Sequence, residues 1–272
     1  MKKYLTIALA MIAVVSTLNT SCSKVHHNSP ADSSAAAAIA VGDIITFGHC
    51  EQDNDTTNGK EPIEWRVLDK NDEGQLLVIS EKVLDAKPYS TTEMLITWEE
   101  SAIRSWLNGY DASYNKEGTN FTNDNFIDTA FTAEEKAKIV ASNVPAHPTP
   151  RYIFRPGIST FDTSPGNATT DKIFLLSVTE ANNYFSSMDD RMADATRYAV
   201  KQGVYVYSLT SDEYTSNGTC TDIHCNARWW LRSPGRYQNY AALVYDFGGI
   251  ENYGDSVNYT SLGVRPALWV NY

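Results

Sequence analysis

The sequence predicts an α+β fold with short antiparallel strands, a few helices and much irregular loop. Short apolar or alternating runs of strand length recur along the chain, bounded by turn residues such as Gly, Pro and Asn. Helical spacing of apolar residues is confined to a few segments, of which residues 97–108 are the clearest. With 42% hydrophobic and 11% aromatic residues, the composition is that of a folded protein.

The strand predictions centre on residues 228–235, which read Arg-Trp-Trp-Leu-Arg-Ser-Pro-Gly. Side chains alternate between the faces of a strand, so Trp229 points one way, and Trp230 and Arg232 point the other. We expect Trp229 to anchor a core, while Trp230 covers a second surface. Further strands are predicted at residues 42–48, 64–68, 76–80, 172–177, 240–247 and 263–270.

Four helices are predicted from apolar spacing and capping residues. Thr97 caps the best of them, residues 97–108, and Trp98 lies on its apolar side and is expected in the core. Thr132 and Glu135 form a capping box at the start of a second helix, which runs to about residue 140. The other two helices are predicted at residues 179–185 and 188–200.

The loop between the first two strands, residues 51–60, is acidic and rich in Asn. Asp53, Asp55 and Asn58 can in principle gather oxygen atoms around a calcium ion. The loop lacks the ligand spacing and terminal Glu of an EF-hand, so the sequence favours a solvated turn. Calcium at Asp53 and Asp55 is the secondary interpretation.

The N-terminal residues predict export. Two lysines precede an apolar run at residues 5–15 and small residues follow it, a pattern typical of a signal peptide, here residues 1–21. The apolar run is too short to stay in a bilayer as a spanning helix. Cys22 follows Thr-Ser and resembles the lipidated cysteine of a bacterial lipobox, although Leu18 lies one position further from it than in the usual pattern. An ordinary signal peptide with an incidental cysteine is the alternative.

The residues after Cys22 predict a tether and then a folded domain. Residues 22–40 are rich in Ser and Ala and have no apolar period, which is typical of a flexible linker. Residues 41–272 are interpreted as a single globular domain. We therefore expect an exported protein that is lipid-anchored to a bacterial membrane, at the outer membrane or the cell surface.

Charge and motifs exclude several classes of function. The formal net charge of −11 makes binding to nucleic acid or to anionic lipid by bulk attraction a poor prediction. The sequence contains no G-x-S-x-G, H-E-x-x-H or P-loop pattern, and its carboxylates do not form a recognisable catalytic pair. His49, His147 and His224 have no metal-ligand spacing to one another.

Cys220 and Cys225 offer one sharp chemical possibility, because they lie five positions apart just before the Trp-Trp strand. In an exported protein, the simplest interpretation is a disulfide that closes a short loop. A zinc site would need a fourth ligand, and the sequence does not oblige one. Cys50 is then left as a free, buried thiol.

Five segments follow one another along the chain: the stretch from Phe47 to Lys70, TWEESAIRSWLNG, DKIFLLSVTEANNYF, RWWLRSPG and LGVRPALW. Together they resemble a bacterial domain family of unknown function, DUF6273. The resemblance covers residues 41–272 and implies an exported domain, but it brings no settled activity.

A more distant resemblance is to the C-type-lectin-like fold, in the version used by formylglycine-generating enzymes. Residues 176–181 are similar to a segment that opens a helix there, and residues 263–265 to a closing strand. Cys220 and Cys225, followed by Leu-Arg-Ser at residues 231–233, are similar to the cysteine pair of that enzyme family. The resemblance implies a C-type-lectin-like mixed fold and, as an alternative function, a copper oxidase whose two thiolates bind Cu(I).

Two classes of function therefore compete. The first, which we favour, is a non-enzymatic binding domain of a cell-surface lipoprotein that takes a glycan or protein ligand. The second is the copper oxidase with Cys220 and Cys225. Tyrosines in polar loops offer stacking faces with hydrogen-bonding tips, and Tyr259 is one of them. The residues predicted to bind ligand are Trp230, Arg232, Tyr237, Tyr240 and Tyr253.

Overall fold

Two larger sheets of six and five short strands, two two-stranded sheets and several short helices make up the part of the chain that the structure describes. This structure is a computed structural model, and it describes residues 39–151, 160–208 and 225–272. The helices are α1 (Ala102–Asn108), α2 (Phe126–Ala130), α3 (Ala133–Lys138), α4 (Val178–Tyr184), α5 (Met188–Arg191) and α6 (Arg197–Gln202). The strands are β1 (Ile44–Cys50), β2 (Glu61–Lys70), β3 (Leu76–Ser80), β4 (Asp85–Ala86), β5 (Ile139–Val140), β6 (Ser142–Val144), β7 (Thr169–Asp171), β8 (Ile173–Phe174), β9 (Val206–Ser208), β10 (Cys225–Ala227), β11 (Trp229–Pro234), β12 (Tyr240–Val244), β13 (Ile250–Ser256), β14 (Gly263–Val264) and β15 (Ala267–Val270).

The larger sheet has six strands in the order β1-β2-β3-β15-β5, with β8 also paired to β15. Every pairing in it is antiparallel. All five residues of β3 are buried, as expected for an apolar run without polar alternation. An α+β fold with few helices and largely antiparallel sheets is therefore confirmed; the one parallel pair among the described strands joins β11 and β14.

The second sheet has five strands in the order β13-β12-β11-β14-β4, and β11 lies at its centre. All six residues of β11 are buried, so both faces of this strand are covered. Trp229 donates its indole N–H to the carbonyl of Arg191 at 3.2 Å, and Trp230 donates to that of Lys87 at 2.9 Å. The predicted core position of Trp229 is confirmed, and so is that of Trp98, which is also buried.

The predicted strand at residues 263–270 is two strands, β14 in the smaller sheet and β15 in the larger. Arg265 and Pro266 separate them, and Pro has no N–H for a ladder. The Arg265 guanidinium is buried between Phe185 and Trp229, with ring centroids 5.4 and 5.1 Å away. It donates to the carbonyl of Ser80 at 2.8 Å, and burial lowers its pKa to about 10. This buried arginine fixes the point where the chain leaves one sheet for the other.

Two of the predicted helices differ from the structure, one at its start and the other in its middle. Thr97 makes no capping hydrogen bond; a 3₁₀ turn (Trp98–Glu100) follows it, and Ser101 caps α1 instead. The predicted helix at residues 188–200 is broken into α5 and α6. The break has a physical cause, because the backbone of Asp194 and Ala195 forms β-bridges with other segments.

The other two helix predictions are confirmed with small differences in their bounds. The capping box of Thr132 and Glu135 is present, but α3 ends at Lys138 because the next two residues pair with β15 as strand β5. A second capping box joins Ser177 and Glu180 at the start of α4. Residues 39–272 form one compact unit.

The predicted signal peptide, residues 1–21, and most of the tether at residues 22–40, including Cys22, lie outside the described residues. Among the helices that are described, none combines the length and the apolar character needed to cross a membrane.

Candidate functional site: a tyrosine–arginine surface

The turn between β11 and β12 is the foundation of the candidate site. The Gly235 N–H donates to the carbonyl of Tyr240 at 2.7 Å, and the Tyr240 N–H donates to that of Tyr237 at 2.9 Å. The Arg236 N–H donates to the carbonyl of Tyr253 in β13, also at 2.7 Å. A Cβ at Gly235 would lie 2.4 Å from that same carbonyl oxygen, so only glycine allows this close approach.

Four side chains from this turn and β13 form a continuous cluster, called here the Arg236 surface: Arg236, Tyr237, Tyr240 and Tyr253. The Arg236 guanidinium carbon lies 5.4 Å from the ring centroid of Tyr237 and 5.5 Å from that of Tyr253. Tyr240 meets Tyr237 edge to face, with ring centroids 5.4 Å apart. Tyr237 is 52% exposed and Tyr253 is 41% exposed, so two aromatic faces and one cation are presented to solvent.

Side chains beneath the turn hold it against neighbouring loops. Gln238 donates its amide to the carbonyls of Ile96 at 2.9 Å and Ser164 at 3.0 Å. Asn239 donates to the Glu93 carboxylate at 2.7 Å. Phe161, which is buried, packs edge to face on Tyr253, with ring centroids 5.2 Å apart. The aromatic faces are therefore fixed in place before any ligand arrives.

A second arginine on the same hairpin provides a comparison. Arg228 lies over the rings of Tyr205 and Tyr245, at 4.7 and 4.9 Å, and pairs with the Asp246 carboxylate at 3.2 Å. Arg236 is exposed and pairs with no carboxylate of residues 39–151, 160–208 or 225–272. Both arginines lie over aromatic rings, but only the positive charge of Arg228 is balanced by a described carboxylate.

Glu251 connects the two clusters. Its carboxylate accepts the Tyr253 backbone N–H at 2.8 Å and the Tyr245 hydroxyl at 3.0 Å. Burial, together with this hydrogen bond, raises the pKa of Tyr245 to about 12. Phe247 stacks on Tyr245 with ring centroids 5.1 Å apart and is 56% exposed. Aromatic side chains thus extend along the hairpin beyond the Arg236 surface.

The structure brings together three of the five residues predicted to bind ligand, Tyr237, Tyr240 and Tyr253. The prediction is corrected for the other two, because Trp230 has no exposed surface and Arg232 is 4% exposed. Strand alternation places them on the second face of β11, and that face is covered as well. Tyr259 is exposed but makes no ring contact with the Arg236 surface. Sequence reasoning missed Arg236, although it adjoins Tyr237.

The family model for the domain of unknown function DUF6273 matches residues 73–272. The chain belongs to this family. No curated protein and no solved structure matches the chain. All four residues of the Arg236 surface lie inside the matched part of the DUF6273 domain.

A buried polar centre lies under this part of the DUF6273 domain. Arg232 forms an ion pair with Glu180 and donates to the carbonyl of Leu175 at 2.8 Å. Burial by itself would raise the pKa of Glu180, but the hydrogen bonds and charge of Arg232 hold it below its ordinary value. The His147 Nδ1 lies 3.0 Å from the Ser177 Oγ and 4.0 Å from the Glu180 carboxylate.

This centre does not have the geometry of a Ser-His-acid triad. One nitrogen of His147 faces both Ser177 and Glu180, whereas a triad uses a different ring nitrogen for each. Ser177 is fully buried and caps α4. The adjoining cavity measures about 10 Å³, room for about one water molecule. These contacts stabilise the packing around Ser177 and Glu180, and the adjoining cavity is too small for a substrate.

The acidic loop gathers a different set of carboxylates from the predicted one. Asp53 joins Glu51 and Glu61, and their ligand atoms all lie within 4.8 Å of one another. Asp55 is not part of this group. Its carboxylate accepts the N–H of Thr57 at 3.0 Å and the Thr57 hydroxyl at 2.6 Å. Burial and the charge of Glu61 raise the pKa of Glu51. Glu51 and Asp53 of the loop, together with Glu61 at the start of β2, are thus the carboxylates that can approach one cation together.

The structure describes Cys50 and Cys225, whereas Cys220 lies outside the described residues. Cys225 is buried and disulfide-bonded, and its partner, like Cys220, lies outside the described residues. The pairing of Cys220 with Cys225 stays a prediction. Cys50 is a free, buried thiol as expected, and burial raises its pKa to about 12. A thiol with so high a pKa is protonated at neutral pH and is a poor nucleophile.

Proposed function

We propose that the chain is the non-enzymatic binding domain of a cell-surface lipoprotein and that the Arg236 surface takes a glycan or protein ligand. One observation carries this proposal: Tyr237 and Tyr253 present exposed rings around an exposed arginine on a turn fixed by hydrogen bonds. Tyrosine supplies a large flat contact area with a hydrogen-bonding tip and loses little conformational freedom on binding.

The C-type-lectin-like fold belongs to the same proposal. Two of the segments that carry the resemblance lie against each other: the Val178 N–H donates to the Ser233 Oγ at 2.9 Å, and Glu180 pairs with Arg232. These contacts pack the start of α4 against the central strand β11, and they support the proposed fold. The lipid anchor at Cys22 is the second part of the proposal, and the basic and apolar N-terminal pattern supports it.

The copper oxidase with Cys220 and Cys225 receives less support. Cu(I) binds thiolate sulfur, and a sulfur held in a disulfide is not a thiolate. Cys225 is disulfide-bonded. The structural role of this cysteine is therefore the better interpretation.

Glycan and peptide arrays probed with the full-length protein test the binding function. We expect a ligand whose binding is lost in Tyr253→Ala and in Tyr237→Ala, because each change removes an exposed stacking face. Tyr259→Ala is the matched control, since Tyr259 is equally exposed but stands outside the cluster. Binding that all three variants retain would contradict the role of the Arg236 surface, and two blank arrays would contradict the function.

A further inference from the structure

We infer that the ligand of the Arg236 surface is an acidic saccharide, with the carboxylate of a uronic or sialic acid bound by the Arg236 guanidinium. This inference rests on the proposed function and narrows it to one class of ligand. Its starting point is the difference between two arginines that share one hairpin and one kind of aromatic setting.

The two arginines differ in whether their charge is already balanced. Each lies over two tyrosine rings, but Arg228 is paired with Asp246 at 3.2 Å. No carboxylate within the described ranges pairs with Arg236, which is exposed. Cation–π contacts use the flat faces of a guanidinium and leave the N–H groups at its edge available. These donors form a fork that matches the two oxygens of a carboxylate.

The backbone of the site argues for a saccharide rather than an extended peptide. Peptides that add a strand to a sheet need free N–H and C=O groups along its edge. Tyr253 lies in β13, the edge strand of its sheet, but its N–H donates to the Glu251 carboxylate and its carbonyl accepts the Arg236 N–H. Recognition therefore falls to side chains. Exposed tyrosine rings suit the C–H face of a pyranose, and their hydroxyls suit its oxygens.

The negative net charge of the whole chain favours a small acidic ligand over a long polyanion. A formal net charge of −11 repels long polyanions, so bulk attraction contributes nothing here. Binding must come from a local contact between Arg236 and a single acidic sugar. A short oligosaccharide with one or a few carboxylates therefore fits better than a dense anionic polymer.

Calorimetry on the full chain with two matched pairs of sugars tests this inference. The pairs are trigalacturonate against its fully methyl-esterified form, and 3′-sialyllactose against lactose. We expect the acidic member of at least one pair to bind about tenfold more tightly at physiological ionic strength. Arg236→Gln should abolish that preference, and Arg236→Lys should recover only part of it because an ammonium cannot form the fork.

Lys201→Gln is the control for net charge, because it removes one exposed cation elsewhere on the domain. Equal binding of both members of each pair would overturn the inference while leaving the proposed function in place. The same holds for an acidic preference that Lys201→Gln abolishes as fully as Arg236→Gln does. No binding of either acidic sugar, or tighter binding of a tetraglutamate peptide, would also overturn the inference. The array experiment alone decides the proposed function.

Discussion

Glu180 and Arg232 show how single residues bring charge into the interior of this domain. The carboxylate accepts two hydrogen bonds from the guanidinium and one from the Ser177 N–H at 2.8 Å. It thereby joins the start of α4 to the central strand β11. Removing one partner of such a pair leaves the other buried and uncompensated, which is costlier than removing both.

Glu180→Gln should lower the free energy of unfolding at neutral pH by about 3–5 kcal/mol, because it leaves Arg232 buried without a counter-charge. The pKa of Glu180 is lower in the folded protein than in the unfolded chain, where it is about 4.3. The unfolded chain therefore binds more protons, and this stabilisation is present above about pH 4.3 and lost as pH falls through the folded value.

Urea denaturation across this pH range measures the effect. The difference between the original protein and Glu180→Gln should shrink as the solution is acidified. Glu73→Gln is the control, since Glu73 is exposed in a turn and should change stability little. A pH-independent difference would show that packing, rather than charge, accounts for the loss.

At the scale of elements, the β11–β12 turn depends on the close contact of Gly235 with Tyr253. Gly235→Ala places a methyl group against the Tyr253 carbonyl and should displace Tyr253 from Arg236. We expect ligand affinity to fall about tenfold or more. Gly74→Ala is the control: it strains a turn with positive φ, at +80°, but meets no atom within 4 Å. Equal affinity in the two variants would show that the turn does not position Tyr253.

The acidic loop allows a direct test of calcium. If the ion binds there, a calcium-dependent rise in Tm should be lost in Asp53→Asn, because Asp53 belongs to the carboxylate cluster with Glu51 and Glu61. The same rise should persist in Asp55→Asn, because Asp55 lies outside that carboxylate cluster. Thermal unfolding with calcium and then with EDTA measures both. An unchanged Tm in the original protein would contradict calcium binding.

Elements that depend on residues close together in the sequence were predicted better than elements that depend on contacts with distant segments. Capping residues and short apolar runs act within a few positions, so the start of α3 and the strand β3 could be predicted. The break between α5 and α6 could not, because it depends on bridges to distant segments. The surface position of Trp230 was wrong for a similar reason: alternation shows that a strand has two faces, but not what covers the second.

At the scale of the whole molecule, the candidate site was predicted in part. Polar loops marked Tyr237, Tyr240 and Tyr253, and the fold brings these three together although Tyr253 belongs to another strand. Arg236 was missed because its significance lies in a comparison with Arg228, and only three-dimensional structure shows which arginine has a carboxylate partner.

The proposed lipid anchor at Cys22 also concerns the whole chain. Cys22→Ala should release the protein from membranes and shift it from the detergent phase to the aqueous phase, since a Cys-linked lipid supplies the anchoring apolar surface. Detergent-phase partitioning after expression in a bacterium measures this. Ser21→Ala is the control, because it keeps a small residue before the cysteine. Unchanged partitioning of Cys22→Ala would contradict lipidation.

The two strands on either side of Arg265 and Pro266 determine when this domain can fold during its synthesis. β15 lies between β3 and β5, and β14 lies between β11 and β4, so each occupies an interior position in its sheet. Both follow every other described strand in the sequence, at residues 263–270. The ribosome makes them after the strands that they join, so neither sheet can be completed until these residues have been synthesised. A premature stop there would remove an inner strand from each sheet, rather than fray an edge.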